Sequence, residues 1–499
     1  MGEYIEAFGA EARLVCGTEE VLPRRVRAVT YDSREAGEGS LFFCKGAHFS
    51  ADYALAAAKR GAVGYVFDEK SDPTALLAEA GYADLPGIFV PDIRPAISQA
   101  AALYYKGLRE NLTIIGFTGT KGKSTTTYYS RAILDAWMKR EGRPASAVLS
   151  GIENYDGVVC EESHLTTQEV FELYKHFRNA VSSGITHLTM EVSSQALKYG
   201  RTRGLGFDVA GFLNIGEDHI SDIEHADLED YFTSKLKIFE GSRFACVNLG
   251  ADEAARVLKA AGAAQQTITF GQQEAADVYG YATVPTDAGV AFRVRTRDWD
   301  APFYISMGGL FNVDNALAAI ASAHALGAPV EAIQEGLAQA KASGRMELFA
   351  GPDGKTILVD YAHNKMSYEA LFSSVAEEYP SRPVITLFGC PGGKAQARRR
   401  ELSEIAAPAS EAVYVTEEDP GEEPPEKIAA EILGYIKEAG GHGIDIADRT
   451  EAITRAITEA PAGAVVLVLG KGRETRQKRG TAYVPVESDV QIVQRVITS

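Results

Sequence analysis

Thr118-Gly119-Thr120-Lys121-Gly122-Lys123-Ser124-Thr125 follows the apolar run Leu112-Thr113-Ile114-Ile115-Gly116-Phe117 and precedes a helix-like segment. This order of strand, glycine-rich turn and helix is typical of a phosphate-binding loop. The glycines let backbone N–H groups converge on phosphate oxygens, Lys123 supplies a cation for the β- and γ-phosphates, and the Ser124 hydroxyl can hold Mg²⁺. The stretch therefore predicts binding of ATP or GTP. A glycine-rich turn that merely caps a helix is the alternative, and the preceding strand disfavours it.

Length and composition indicate a multidomain globular protein. The 499 residues, 45% of them hydrophobic and 24% charged, suffice for about three domains with sizeable cores. The cysteines are odd in number, widely spaced and without a Cys-x-x-Cys pair, which favours reduced and mostly buried thiols over disulfides or a zinc site: Cys16, Cys44, Cys160, Cys246 and Cys390. The first residues lack a secretory signal pattern, and no apolar run is long enough to span a membrane. We expect a cytoplasmic monomer without a membrane partner.

The charge balance argues against nucleic acid as a partner. The formal net charge is −18 and the isoelectric point is about 5.1. Nucleic-acid binding depends mainly on cations that neutralise phosphates. Any nucleotide must therefore be held by a few locally placed residues.

Strand and helix patterns alternate along the chain and predict an α/β protein of three domains, at residues 1–108, 109–342 and 343–499. A mostly parallel sheet is expected around the phosphate loop, and a second parallel sheet after Ser343-Gly344-Arg345. The strand candidates are residues 27–31, 40–44, 62–67, 186–192, 208–214, 244–248, 356–360, 383–388, 412–415 and 464–469, and a helix is predicted over 97–108. Since ligands bind beyond the carboxyl ends of such strands, the loops after them should converge on interdomain clefts.

The order of motifs along the whole chain closely resembles the Mur ligases. The motifs are Asp32-Ser33-Arg34, Lys45-Gly46, the phosphate loop, Leu165-Thr166-Thr167-Gln168, residues 190–197 with Arg201, residues 214–219, residues 230–235, Phe311-Asn312-Val313-Asp314-Asn315, Gly344-Arg345-Met346-Glu347 and Asp360-Tyr361-Ala362-His363. The resemblance implies a central phosphate-loop ATPase domain, a C-terminal Rossmann-like domain, and ATP-dependent addition of the third peptide residue to UDP-N-acetylmuramoyl-L-alanyl-D-glutamate. This reaction is a cytoplasmic step of peptidoglycan synthesis.

The resemblance also implies a mechanism. ATP phosphorylates a substrate carboxylate, and the amine of the incoming amino acid attacks the acyl phosphate. Lys123, Glu191, His219 and Lys235 match the catalytic positions, and Ser124, Glu191, His219 and Lys235 match ligands of Mg²⁺. Lys235 matches a lysine that is carbamylated, which replaces its cation by a carboxylate. Without the family, the residues favour a solvated helix lysine at this position.

Further sets of residues match binding positions of the family. For ATP these are Gly119, Thr120, Lys121, Gly122, Lys123, Ser124, Thr125, Asn312, Asn315, Arg345, Asp360 and His363. For the UDP-muramoyl dipeptide they are Ser33, Lys45, Gly46, Thr166, Thr167, Ser193 and Arg201, whose guanidinium suits a carboxylate. An N-terminal helix cap is the alternative for Asn312.

Which amino acid is added depends on the segment Glu418-Asp419-Pro420-Gly421. Family members that add meso-diaminopimelate have Asp-Asn-Pro-Arg there, and Gly421 cannot replace that arginine as partner of the distal carboxylate. The acidic residues Glu417, Glu418, Asp419, Glu422 and Glu423 favour L-lysine, although a solvated acidic loop is the alternative, above all for Glu422 and Glu423. We expect Glu418, Asp419, Gly470 and Glu474 to bind the amino acid, with ornithine, D-lysine and diaminopimelate left open. Arg473 is either a surface residue or a carboxylate binder.

Two other classes of protein remain as alternatives. A folylpolyglutamate synthetase would share the phosphate loop and the amide chemistry, but about 110 residues precede the loop here. A nucleotide-dependent switch or binding module would turn over nucleotide without a muramoyl acceptor.

Overall fold

Three main β-sheets with flanking helices organise the chain. The structure is a computed structural model that describes residues 1–17, 20, 23–46, 49–163, 165–217, 220, 224–286 and 289–498. The sheets have five, eleven and six strands, and a separate hairpin forms a fourth sheet of two strands. The predicted α/β fold class is confirmed.

The first sheet lies near the N-terminus and has the strand order β1-β5-β4-β3-β2, in which only the β1–β5 pair is antiparallel. Its core contains Leu41, Phe43, Val66 and Ile88, all fully or almost fully buried. The elements of this part are α1 (Gly2–Phe8), β1 (Arg13–Cys16), β2 (Ala28–Thr30), β3 (Ser40–Phe43), α2 (Ala51–Lys59), β4 (Gly64–Phe67), α3 (Thr74–Glu79), β5 (Gly87–Phe89) and α4 (Ile93–Tyr104).

The second sheet carries the phosphate loop at the end of β6. Its elements are β6 (Thr113–Thr118), α5 (Lys123–Arg140), β7 (Ala147–Leu149), β8 (Glu153–Tyr155), β9 (Cys160–Glu162), α6 (Val170–Ser182), β10 (His187–Glu191), α7 (Ser194–Lys198), β11 (Val209–Phe212), α8 (Leu228–Leu236), β12 (Phe244–Asn248), α9 (Ala254–Ala261), β13 (Gln266–Gly271), β14 (Val278–Thr286), β15 (Gly289–Arg295), β16 (Asp300–Ile305), α10 (Asn312–Ala325) and α11 (Val330–Gln339). The strand order is β16-β15-β14-β13-β12-β11-β6-β10-β7-β8-β9, and the central strands from β14 to β7 are parallel.

The third sheet begins after residue 346 and is parallel except for its first strand. Its order is β17-β18-β22-β19-β20-β21. Strands β20 and β21 therefore lie on one side of β19, and β22, β18 and β17 lie on the other. The elements are β17 (Glu347–Ala350), β18 (Thr356–Asp360), α12 (Lys365–Glu378), β19 (Val384–Phe388), α13 (Ala397–Ala409), β20 (Ala412–Val415), α14 (Pro425–Glu438), β21 (Gly443–Asp445), α15 (Arg449–Glu459), β22 (Val465–Leu469), the hairpin β23 (Arg476–Arg479) and β24 (Ala482–Pro485), and α16 (Asp489–Thr498).

The predicted strands are present, with bounds that differ by up to two residues at either end. The helix predicted over 97–108 instead spans 93–104, because the Asp92 side chain caps it by accepting the backbone N–H of Arg94 at 3.0 Å. The antiparallel strands β14 to β16 were not predicted. Three of the five cysteines, Cys44, Cys246 and Cys390, are buried, whereas Cys160 is exposed.

Candidate active site

The phosphate loop has the backbone that its glycines predict. Gly122 has φ +81° and stands directly before helix α5, which begins at Lys123. A Cβ at Gly122 would lie 2.1 Å from Oδ1 of Asn315, so the position needs glycine both for its φ and for space. The loop therefore leads directly into the N-terminus of helix α5, whose free N–H groups can bind an anion.

The loop after β11 supports the phosphate loop. Oδ1 of Asn214 accepts the backbone N–H of Lys121 at 2.9 Å, and its Nδ2 donates to the Lys121 carbonyl at 3.1 Å. The Thr120 hydroxyl accepts the backbone N–H of Gly216 at 3.0 Å and the Tyr231 hydroxyl at 3.2 Å. These contacts fix the loop in a single shape before a ligand arrives.

Two of the predicted catalytic lysines meet at one oxygen. Nζ of Lys123 donates to the carbonyl oxygen of Gly119 at 2.8 Å, and Nζ of Lys235 donates to the same oxygen at 2.9 Å. Lys235 is 1% exposed and its Nζ lies 4.4 Å from the ring centre of Tyr231. The alternative of a solvated helix lysine is therefore wrong for Lys235.

Glu191 ends strand β10 and is 2% exposed. Its Oε1 accepts the backbone N–H of Gly151 at 2.8 Å, and its backbone carbonyl accepts the hydroxyl of Thr167 at 3.0 Å. The Thr167 hydroxyl also accepts the backbone N–H of Ser193 at 2.9 Å, and the Ser193 hydroxyl caps helix α7. Glu191 thus lies next to two residues predicted to bind the muramoyl dipeptide.

A carboxylate that sequence reasoning missed joins two of the predicted dipeptide-binding cations. Glu169 bonds to Nζ of Lys45 through one oxygen and to Nη2 of Arg201 at 2.5 Å through the other. Arg201 also donates to the Thr167 carbonyl at 3.0 Å. The only available sequence signal was the position of Glu169, two residues after Thr167. Lys45 belongs to the N-terminal sheet region, so Glu169 ties that region to the central sheet.

The remaining residues predicted for the dipeptide lie around this pair. Thr166 adjoins Gly151, whose Cβ would lie 3.6 Å from the Thr166 hydroxyl oxygen. Gly46, with φ +122°, follows Lys45, and Ser33 lies in the turn after Tyr31, whose ring centre is 4.5 Å from Nζ of Lys45. Among the described residues, no polar atom of Ser33 bonds to the others of the set.

Asn312 and Asn315 link helix α10 to helix α5. Nδ2 of Asn315 donates to Oδ1 of Asn312 at 2.9 Å, Nδ2 of Asn312 donates to the Gly308 carbonyl at 2.6 Å, and the Thr126 hydroxyl donates to Oδ1 of Asn315 at 3.4 Å. Asn312 is the first helical residue, and its side chain does not cap the helix. The alternative of an N-terminal cap is therefore wrong for Asn312.

Arg345 reaches the phosphate loop from the C-terminal side, and Asp360 and His363 bond to residues next to it or to Tyr361 beneath it. Nη2 of Arg345 lies 3.4 Å from the Ser124 hydroxyl, and its guanidinium carbon lies 4.3 Å from the ring centre of Tyr361. Asp360 accepts the backbone N–H groups of residues 346 and 362, each at 2.7 Å. Burial raises the pKa of Asp360, which the positive charge of Arg345 opposes. His363 bonds to the Tyr361 carbonyl at 2.7 Å.

The acidic segment after β20 is less negative than the sequence suggests. Glu417 pairs with Arg479 at 2.7 Å, and Glu423 pairs with the buried Arg399 at 2.6 Å. Arg399 and the backbone N–H of Gly393 lower the pKa of Glu423 to about 2. Glu423 is thus half-buried and held by Arg399, so its predicted contribution to binding a substrate ammonium is wrong. Glu422 is exposed, as is Arg473.

Glu418 differs from its neighbours in that its carboxylate has no hydrogen-bond or ion-pair partner among the described residues. It lies where the ends of β19, β20 and β22 meet, and a Cβ on Gly470 would be 3.3 Å from its Oε2. Gly470 has φ +111°, so glycine serves both the turn and this approach. Burial raises the pKa of Glu418 to about 7, against the attraction of Arg449 and Lys471. Together with Thr416 and Cys390 it lines a cavity of about 40 Å³.

Asp419 and Glu474 share a cation that sequence reasoning did not assign. Nζ of Lys471, 2% exposed, donates to Oδ1 of Asp419 at 3.0 Å and to Oε2 of Glu474 at 2.9 Å. The other oxygen of Glu474 accepts the Tyr361 hydroxyl at 2.7 Å. The signal for Lys471 was its place between the two glycines of Gly470-Lys471-Gly472.

His219 lies outside the described residues, so its predicted contact with a metal ion stays a prediction. The described residues contain no group of three or more His, Cys, Asp or Glu side chains that could hold a metal ion. The described helices are all too short or too polar to cross a membrane.

Comparisons with known proteins agree with this arrangement. Residues 117–323 match the Mur ligase middle domain, and residues 344–472 match the glutamate ligase domain of Mur ligases. The UDP-N-acetylmuramoyl-L-alanyl-D-glutamate--L-lysine ligase of Enterococcus faecalis is 36% identical over 485 residues, which is 95% of this chain and 92% of that protein. A UDP-N-acetylmuramyl-tripeptide synthetase of Bifidobacterium longum is 37% identical over 94% of this chain and 91% of its own length.

A solved structure extends the likeness to three dimensions. The structure of a UDP-N-acetylmuramoyl-L-alanyl-D-glutamate--2,6-diaminopimelate ligase is 25% identical and superposes with a TM-score of 0.66 over 97% of this chain and 99% of that one. The fold, the motif order and these full-length relatives agree, and the chain belongs to the Mur ligase family.

Proposed function

We propose that the protein is an ATP-dependent ligase that adds L-lysine to UDP-N-acetylmuramoyl-L-alanyl-D-glutamate through an acyl phosphate. The products are the UDP-linked tripeptide, ADP and phosphate, and the step belongs to cytoplasmic peptidoglycan synthesis. The observation that carries this proposal is the full-length likeness to the Enterococcus faecalis protein, together with an amino-acid end that has carboxylates and no arginine at Gly421.

The phosphate loop is proposed to hold ATP. Free backbone N–H groups at the N-terminus of helix α5 are proposed to bind the phosphates, and Lys123 and Arg345 supply cations next to the Ser124 hydroxyl. Asn312 and Asn315 lie behind Gly122, where they are proposed to face the base. In phosphoryl transfer these cations spread the negative charge that develops on the transferring group. His363 and Asp360 are proposed to border the ribose and phosphates.

The donor atoms of Glu191 and Ser124 fit Mg²⁺, since that ion prefers carboxylate and hydroxyl oxygens. A bound Mg²⁺ would add positive charge next to the phosphates. The Lys235 amine does not fit as it stands, because it is a second cation next to Lys123 on the same carbonyl oxygen. Carbamylation would turn that repulsion into attraction and supply a carboxylate, and we therefore propose the carbamate at Lys235.

The acceptor dipeptide is proposed to bind where Lys45, Glu169 and Arg201 meet. This cluster carries two positive charges against one negative charge, so it attracts an anionic ligand. Thr167 and Ser193 offer hydroxyls beside it and beside Glu191. The position next to Glu191 would bring the substrate carboxylate to the ATP phosphates.

The incoming amino acid is proposed to bind at Glu418, Asp419 and Glu474. The carboxylates of Asp419 and Glu474 share one ammonium, that of Lys471, so the group retains a net negative charge that suits a distal ammonium, and Glu418 lies beside it. Gly421 has no side chain to pair with the extra carboxylate of diaminopimelate, and such a carboxylate would be costly to bury unpaired. L-Lysine satisfies this arrangement better than diaminopimelate does.

We propose domain boundaries at 108/109 and 342/343, which fall between the three sheets. We also propose that the protein is a monomer. Light scattering of the purified protein would test the monomer.

Phosphate release tests the proposed reaction. The purified protein is given ATP, Mg²⁺ and UDP-N-acetylmuramoyl-L-alanyl-D-glutamate with L-lysine, L-ornithine, D-lysine or meso-diaminopimelate in parallel. We expect turnover that needs the acceptor and is fastest with L-lysine. Preference for diaminopimelate would overturn the specificity and keep the ligase. Phosphate release that is indifferent to the acceptor would favour a nucleotide-dependent switch.

A further inference from the structure

A continuous chain of side chains runs from the phosphate loop to the amino-acid end of the site. It begins at the Ser124 hydroxyl, which lies 3.4 Å from Nη2 of Arg345. The Arg345 guanidinium stacks over the ring of Tyr361, with 4.3 Å between its carbon and the ring centre. Tyr361 is thereby held on one side by a residue that touches the phosphate loop.

The other end of Tyr361 faces the amino-acid site. Its hydroxyl donates to Oε1 of Glu474 at 2.7 Å, while Oε2 of Glu474 accepts Nζ of Lys471 at 2.9 Å. Lys471 continues the chain to Asp419 at 3.0 Å. Burial and the nearby carboxylate raise the pKa of Tyr361, so its hydroxyl keeps its proton and acts as the donor.

This geometry limits how Glu474 can move. A glutamate bound only to Lys471 could rotate its carboxylate about the last side-chain bond, so the lone pairs left for a ligand would have no fixed direction. The Tyr361 hydroxyl holds one oxygen away from Lys471 and fixes the carboxylate plane. A tyrosine suits this task because its ring moves as a rigid unit between the guanidinium and the carboxylate.

We propose that Tyr361 is a positioning residue whose hydroxyl orients Glu474 for the ammonium of the incoming amino acid, and whose ring ties that orientation to Arg345 at the nucleotide. The inference rests on the proposed ligase function. It assigns to Tyr361 a role that acts through Glu474 and not through contact with the reacting atoms.

The Tyr361→Phe variant tests this role, since it removes the hydroxyl and keeps the ring under Arg345. We expect the KM for L-lysine to rise about tenfold, the size of a lost hydrogen bond to a charged group. The KM values for ATP and for the UDP-muramoyl dipeptide should stay within about twofold, because Arg345 retains its contact.

Tyr414→Phe is the matched control. The Tyr414 hydroxyl donates to Glu459 of helix α15 at 2.9 Å, so the variant loses the same kind of bond in the same domain, outside the chain of contacts from Ser124 to Asp419. It should leave all three KM values unchanged. A rise in the KM for L-lysine in this control would show that the effect comes from general loosening of the domain, and would overturn the inference.

A double-mutant cycle with Glu474→Ala separates action through Glu474 from other causes. If Tyr361 acts through Glu474, Tyr361→Phe should have no further effect on the KM for L-lysine in the Glu474→Ala background. An unchanged tenfold effect there, or a KM change for ATP in place of L-lysine, would overturn the inference. A wild-type protein without turnover would overturn the proposed function itself, whereas wild-type kinetics of Tyr361→Phe would overturn the inference alone.

Discussion

The substitution Glu418→Gln tests whether the amino-acid end of the site contains a buried carboxylate without a partner. Glu418 has a carboxylate without a hydrogen-bond or ion-pair partner among the described residues, and burial raises its pKa from 4.5 to about 7. Below pH 4.5 the group is protonated in the folded and the unfolded chain, and it costs no stability. As the pH rises from 4.5 to about 7, the unfolded chain releases the proton while the folded chain keeps it. Stability is therefore lost through this window.

The size of the loss follows from the shift. Each pKa unit corresponds to about 1.4 kcal/mol, so the wild-type chain carries a penalty of about 3 kcal/mol above pH 7. At pH 5.5 about 1.4 kcal/mol of that penalty is present, since the pH exceeds the unfolded pKa by one unit. The glutamine variant has no charge to bury at either pH. The variant should thus gain about 2 kcal/mol on the wild type between pH 5.5 and pH 8.5.

Urea unfolding of both proteins at pH 5.5 and pH 8.5, followed by circular dichroism, measures this difference. Glu422→Gln is the control, because Glu422 lies in the same loop and is exposed. Its stability relative to the wild type should be equal at the two pH values. A Glu418→Gln variant whose relative stability is also the same at both would refute the burial of an unpaired carboxylate.

Three further substitutions test other parts of the site. Gly122→Ala should abolish ATP binding in calorimetry, because its Cβ would lie 2.1 Å from Oδ1 of Asn315 at a φ of +81°. Lys235→Ala should abolish turnover, with partial recovery on addition of short carboxylic acids, whereas Lys237→Ala, an exposed neighbour, should keep full activity. Arg399→Met should lower the free energy of unfolding by more than the roughly 1 kcal/mol of a surface ion pair, because Glu423 and Glu431 both lose their buried partner.

Each of these expectations has a result that contradicts it. Normal ATP affinity of the Gly122→Ala variant would show that the loop can move away from helix α10. Full activity of Lys235→Ala would remove the carbamate proposal. A change below about 1 kcal/mol for Arg399→Met would place this ion pair with ordinary surface pairs.

Much of the fold could be predicted from the sequence because its parallel strands are buried on both faces. The run Val465–Leu469 is apolar throughout and fully buried. Such a run predicts a buried strand from the sequence alone. Strands β14 to β16 were missed because polar residues alternate with apolar ones along them and because β14 and β16 are partly exposed. The start of helix α4 was misplaced because its Asp92 cap was not recognised.

The site was predictable where function depends on residue order, and less so where it depends on partners distant in sequence. The glycines around Lys123 predict the phosphate loop because a strand pattern precedes them and a helix pattern follows. The pairs Glu169 with Arg201 and Glu423 with Arg399 join residues 24 or more positions apart, so charge counting in one segment could not find them. For this reason the acidic segment after β20 was read as more negative than it is.

The most direct measurement offers the wild-type protein ATP, Mg²⁺ and UDP-N-acetylmuramoyl-L-alanyl-D-glutamate with L-lysine and meso-diaminopimelate in equal amounts, and identifies the product by mass spectrometry. We expect the UDP-linked tripeptide that contains lysine, with ADP and phosphate in equal amounts. A product that contains diaminopimelate would contradict the role assigned to Gly421, and the absence of any peptide product would contradict the ligase.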